Sequence, residues 1–126
     1  MTRATILLIA AAALCGCGRH DTTPVTVVNG GDAKRGPALM QRYGCGSCHA
    51  IPGVEGANAS IAPNLRDVAS WSFIAGVVSN DPENMVKWIE NPPGVDPKTA
   101  MPNLGVTEKD ARDIAAYLYT LKTAGQ

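Results

Sequence analysis

Cys45-Gly46-Ser47-Cys48-His49, entered through Tyr43-Gly44, is the stretch on which the reading of this chain turns. Two thiols three positions apart, with an imidazole directly after the second, form an attachment site for haem c. In that chemistry Cys45 and Cys48 add across the two vinyl groups of the porphyrin as thioethers, and His49 supplies the proximal nitrogen to the iron. The spacing suits a helical turn, because positions i and i+3 share a side and both reach one edge of a flat ring. Gly46 and Ser47 are small enough for the backbone to pass close to that edge.

Two other chemistries use the same residue types. A thioredoxin-like dithiol needs a preceding strand and a larger α/β domain, whereas Asp32 to Tyr43 reads as a helix. A structural zinc site needs a second pair of ligands. The remaining cysteines, Cys15 and Cys17, sit in the leader, and the remaining histidine is His20.

That leader, residues 1–16, joins Arg3 to the apolar run Ile6-Leu7-Leu8-Ile9, an alanine run and Leu14, the shape of an export signal. It is too short to span a bilayer, which takes about 20 apolar residues. Its end, Leu14-Cys15-Gly16-Cys17, resembles a bacterial lipoprotein signal, with Cys17 as the lipidated first residue of the mature chain. Cys15 departs from that pattern, and ordinary cleavage near Gly18 is the alternative, leaving a soluble periplasmic protein. Either route places the chain outside the cytoplasm, in the bacterial periplasm or on the outer face of the cytoplasmic membrane. Residues 17–31 then read as a flexible tether, because the Val25 to Val28 run has no second strand to pair with.

Residues 32–123 remain for one small domain, marginal on its own apolar burial. A covalently held ring supplies the missing core. Asp32 reads as the cap of the first helix, with Pro37 tolerable only in its opening turns. Asp81-Pro82 caps a helix carrying Met85, Trp88 and Ile89, and Pro92-Pro93 stops it. Thr107 caps a last helix with Ile114, Leu118 and Leu121 on its apolar face. Phe73 to Val78 reads as another short helix, and the stretch from Cys48 to Trp71 as long loops. The expected class is all-α, three to five helices around one haem.

The sixth iron ligand decides the chemistry. Met40 is too close to the motif, Met85 lies on a packing stripe and His20 lies in the tether. Met101 stands in the polar, proline-rich loop Pro97-Lys98-Thr99-Ala100-Met101-Pro102, far enough along the chain for it to travel around the ring. A thioether there raises the potential relative to bis-histidine ligation and closes the iron to small substrates. Around the ring, Pro63 is expected to accept a hydrogen bond from His49, Leu65 to pack on the haem, and Trp88 to reach a propionate. Trp71 and Asn80 receive no clear assignment.

Over Ala33 to Leu121 the chain resembles a class I, mono-haem cytochrome c, and more narrowly the cytochrome domain fused to subunit II of caa3-type oxidases. The resemblance rests on Tyr43 to His49, Ala62-Pro63-Asn64-Leu65, Ile74-Ala75-Gly76, Asn80 to Met85, Trp88 to Pro92, Met101 to Leu104 and Ala116-Tyr117-Leu118. It implies His49 and Met101 as axial ligands, Cys45 and Cys48 as attachment points, Pro63 as carbonyl donor to His49, and Trp88 beside a propionate. Ala62 replaces a frequent glycine, and Trp71 follows Ser70 where the narrower family tends to carry arginine. With no copper-site or membrane-helix portion ahead of the domain, a free-standing or tethered cytochrome is expected rather than the oxidase subunit.

The 11 basic and 11 acidic residues of the 126 balance to +0, which argues against nucleic acid as partner. Charge steering is expected to be weak, with docking through an apolar patch around the haem edge. The expected role is carriage of single electrons, not enzymatic turnover. Its donor would be a quinol-cytochrome c reductase or a dehydrogenase, and its acceptor a terminal oxidase or reductase. Two alternatives share the haem: a subunit of a larger oxidase or reductase, and an enzyme or gas sensor with an open coordination position.

Overall fold

In the computed structural model, residues 26–122 are described. The expected leader, Cys17 and His20 lie outside that range. Helix α1 (Gly36–Arg42) leads into a 3-10 turn at Cys45–Ser47, and a second 3-10 turn follows at Val68–Ser70. A small hairpin, β1 (Phe73–Ile74) and β2 (Val78–Ser79), precedes α2 (Pro82–Glu90), the single turn α3 (Pro92–Val95) and α4 (Glu108–Leu118).

Local chemistry places the later helices. The Asp81 side chain accepts the Asn84 amide at 2.9 Å and Pro82 fills the first turn of α2, where a missing N–H costs nothing. Pro92-Pro93 ends α2 and opens α3 at once. Thr107 accepts the Asp110 amide at the start of α4.

The first helix starts later than expected. Asp32 does not cap it: its carboxylate accepts the Lys34 amide, and its own N–H donates to Asp113 at 2.7 Å. Two tight turns then carry the chain to Gly36, where α1 begins with Pro37 in its first turn. The reason is the crossing of α1 on α4. A Cβ at Gly36 would overlap Tyr117 Cβ and press on the Asp113 carbonyl, so only glycine lets the two backbones approach.

Two further expectations are corrected. Phe73 to Val78 is not a helix; it is the antiparallel hairpin, with Phe73 opposite Ser79 and Ile74 opposite Val78. Ala75 and Gly76 both take positive φ, 51° and 75°, the conformation that reverses a right-twisted strand pair in a tight turn. Val28, expected in the tether, is buried in the core, and the Asn29 carbonyl accepts from Arg112 Nη1 at 3.3 Å. Folded packing therefore begins ahead of Asp32. The remainder of the fold is mainly helical, as expected, with α4 packed against both α1 and α2.

Between α1 and α4 lies a polar seam. Asp113, fully buried, receives Lys109 Nζ on both carboxylate oxygens at 2.7 and 2.8 Å, with Arg35 at 3.2 Å. Burial alone pushes its pKa up, but the Lys109 hydrogen bond, the Asp32 amide and the charges of Lys109 and Arg35 outweigh burial and hold it below the ordinary carboxylate range. Asp110 beside it accepts from Tyr43 at 2.8 Å.

Candidate haem-binding site

Immediately after α1 the chain coils into the 3-10 turn that carries the cysteine pair. The amides of Cys48 and His49 both donate to the Cys45 carbonyl, at 3.2 and 3.0 Å, and Ser47 Oγ donates to Gly44 O at 2.7 Å. Both thiols are free and half-buried. Burial pushes the Cys45 thiol above its ordinary pKa, keeping it protonated at neutral pH.

His49 is held from both sides of its own backbone. The Ala62 amide donates to Cys48 O, and the Leu65 amide to Ala50 O, each at 2.9 Å. These two bonds lay the 62–65 loop along the chain at His49, and Pro63 O falls 2.7 Å from His49 Nδ1. A carbonyl can only accept, so Nδ1 carries the proton, and Nε2 of the neutral ring keeps its lone pair for a metal.

A cavity of about 440 Å³ opens beside this turn, within the usual range for small-molecule and cofactor sites. Cys45, Cys48 and His49 form part of its wall, as do Pro63, Leu65, Trp88 and Met101. The structure thus gathers the expected site residues of the described range around one space, and Cys17 lies outside that range. Met101 is half-buried, and its amide donates to Thr99 Oγ1 at 3.1 Å. Ile61, 81 % exposed, and Leu104, 40 % exposed, also line the cavity and make its rim apolar.

Several wall residues were read from the sequence as ordinary core or left unassigned. Met40 and Met85, with Ile114 and Leu118, line the same cavity. Helical periodicity marks such residues as inward-facing but not whether they face side chains or a ring. Trp71 also lines it. Its carbonyl, and that of Val68, accept from Asn80 Nδ2 at 2.9 and 2.8 Å, while Asn80 Oδ1 accepts from Tyr119 at 2.8 Å. Asn80 is thus a clamp joining the wall at 68–71 to the end of α4, a role no local sequence signal announces.

The donor set fits haem c. Free thiols three positions apart stand at one edge of an apolar cavity, with an imidazole whose tautomer leaves Nε2 available.

Comparison with known proteins agrees. The cytochrome c family model matches residues 33–122. Cytochrome c oxidase subunit 2 of Bacillus sp. (strain PS3) is 33 % identical over 94 residues, 71 % of this chain but 26 % of the oxidase subunit. The subunit 2 of Bacillus subtilis (strain 168) is 33 % identical over 89 residues and is likewise covered only to 25 %. This chain therefore spans about a quarter of the oxidase subunits that it matches. Cytochrome c of Euglena viridis is 34 % identical over 104 residues, which is 73 % of this chain and 99 % of that one. Cytochrome c2 from Rhodobacter sphaeroides shares the fold, with a TM-score of 0.52 and 21 % identity over 75 % of this chain and 99 % of that one. Family model, relatives and fold coincide on the same span, so the chain belongs to the cytochrome c family, whose members bind haem c covalently, and the Cys45/Cys48 pair is consistent with that attachment.

Proposed function

We propose that this protein is a mono-haem carrier of single electrons between respiratory proteins, with His49 and Met101 as axial ligands and a lipid anchor at Cys17 in the periplasm. The observation that carries the reading is the shared cavity wall: His49, fixed by Pro63, and Met101, in the loop pinned by Thr99, line one apolar space. Haem supplies the redox chemistry, one electron gained or lost at iron. His49 and Met101 would hold the iron, the apolar wall would keep water from it, and Ile61 and Leu104 leave an apolar rim for transient contact.

Met40 and Met85 offer competing sulfurs, but both are buried within helices α1 and α2, whereas Met101 belongs to a loop. With both positions filled, small substrates are excluded, so the protein relays electrons rather than turning over a substrate. A quinol-cytochrome c reductase or dehydrogenase is the donor, and a terminal oxidase or reductase the acceptor. The matches to oxidase subunit 2 favour a second reading, in which the domain serves as the haem-bearing part of a larger oxidase. Stable co-purification with oxidase subunits supports that second reading, and its absence supports the independent carrier.

The testing experiment is a pyridine haemochrome and redox titration of the membrane-bound protein, with carbon monoxide added to the reduced form. Low-spin spectra that ignore carbon monoxide and lose their near-infrared band in Met101→Ala support the ligation. An unchanged spectrum in Met101→Ala rejects it, and rapid carbon monoxide binding by the wild type reopens an enzyme or sensor role. Equal solubility of wild type and Cys17→Ala rejects the anchor.

A further inference from the structure

Among the described residues, no arginine, lysine, aspartate or glutamate lines the cavity. Haem c brings two carboxylates to it, and a carboxylate drawn partly out of water needs donors or a counter-charge. The polar side chains of the wall are Ser47, His49, Thr99 and the indoles of Trp71 and Trp88. Ser47 is spent on Gly44 O and His49 Nδ1 on Pro63 O. Thr99 Oγ1 accepts the Met101 amide and keeps its O–H as a donor, but on the loop that carries Met101.

The indoles differ from these. Neither Nε1 donates to any described residue, and no buried side-chain nitrogen or oxygen among the described residues lacks a partner. Both Nε1–H groups are therefore accessible and unspent, and an indole nitrogen can only donate. Trp88 is the propionate neighbour expected from the sequence. Trp71 is its counterpart on another wall: it follows the turn at Val68–Ser70, and Asn80 fixes its carbonyl at 2.9 Å, so the backbone that carries its indole is anchored.

We propose that Trp71 Nε1 donates a hydrogen bond to a haem carboxylate, so that Trp71 and Trp88 together form a cradle of neutral donors without a cation. The inference rests on covalent haem c and on no particular sixth ligand, so it survives or fails separately from Met101. Its electronic consequence has a definite sign. A donor disperses carboxylate charge near the iron, and removing it leaves more negative charge to favour the ferric state. Substituting a cation does the reverse.

The test uses the haem-loaded protein labelled with ¹⁵N at the indole nitrogens. The chain has 2 tryptophans, so two signals appear, assigned by their loss in Trp71→Phe and Trp88→Phe. The Trp71 Nε1–H is expected to be protected from hydrogen exchange. The midpoint potential should fall in Trp71→Phe and rise in Trp71→Arg, with the iron ligand-field spectrum unchanged in both. A freely exchanging Trp71 indole, or two variants that shift the potential in the same direction, overturns the proposal. Should Trp71→Phe fail to load haem, wild-type exchange and the Trp71→Arg potential decide. Failure of the wild type itself to attach haem would instead sink the cofactor assignment.

Discussion

Asp113→Ala removes an acceptor that three residues share. In the native seam its carboxylate takes Lys109 Nζ on both oxygens, the Asp32 amide at 2.7 Å and Arg35 at 3.2 Å, with no exposure of its own. The Lys109 and Arg35 side chains are 57 % and 51 % exposed, so both cations rehydrate and their loss counts for ~1 kcal/mol or less each. The Asp32 N–H does not recover as easily; stranding a partly buried donor costs ~1–3 kcal/mol. The expected total is about 2–3 kcal/mol, or roughly 10–20 °C in the melting temperature of a domain this size. Asp113→Asn keeps an oxygen for the Asp32 amide and should lose less than half as much. Because the native carboxyl is held below its unfolded value of about 3.9, the contribution of its charge is complete above that pH and disappears as pH falls through the lower native value, while the protonated carboxyl still accepts the Asp32 amide. The gap between wild type and Asp113→Ala should therefore narrow on acidification. Thermal melts of haem-loaded protein followed at the Soret band, at neutral and acid pH, measure all three quantities. A melting temperature unchanged by Asp113→Ala, or a gap that widens in acid, would refute the reasoning.

Gly36→Val forces a side chain into Tyr117 at the α1–α4 crossing, and the melt should fall by the ~1–3 kcal/mol typical of overpacking or the protein should not fold. Ala75→Gly relieves a left-handed alanine and should leave stability equal or raise it by up to about 1 kcal/mol in urea titration. Asn80→Ala strands Tyr119 and loosens the wall at Val68 and Trp71; a loss of about 1–3 kcal/mol with a shifted Soret band is expected. Burial first, and then the charge of Asp81, push the Tyr119 phenol up to about 12, and burial also raises Tyr117, so spectrophotometric titration should find Tyr119 ionising last.

What the sequence made legible was what short range decides. The cysteine pair and histidine define their chemistry within five consecutive residues, and Asp81 and Thr107 cap helices through amides three positions on. The hairpin escaped because its turn puts an alanine at positive φ, against local preference. Val28 escaped because a valine run looks the same whether it packs or hangs free. Asn80 escaped because its partners lie 9, 12 and 39 positions away. For Met40 and Met85 the stripe was readable but its object was not, since a ring in the centre of a fold attracts the same side chains as a core.

Arg112 bonds Glu83 of α2, Glu108 of its own helix and the Asn29 carbonyl at once. Together with Val28 in the core, it is where the chain arriving from ahead of Thr26 is fastened. Mechanical load entering from that side is thus taken up by α2 and α4, before it can reach α1 or the turn at Cys45. Neither Arg112 nor Val28 lines the cavity, so this fastening point can be altered without touching the residues that face the ring.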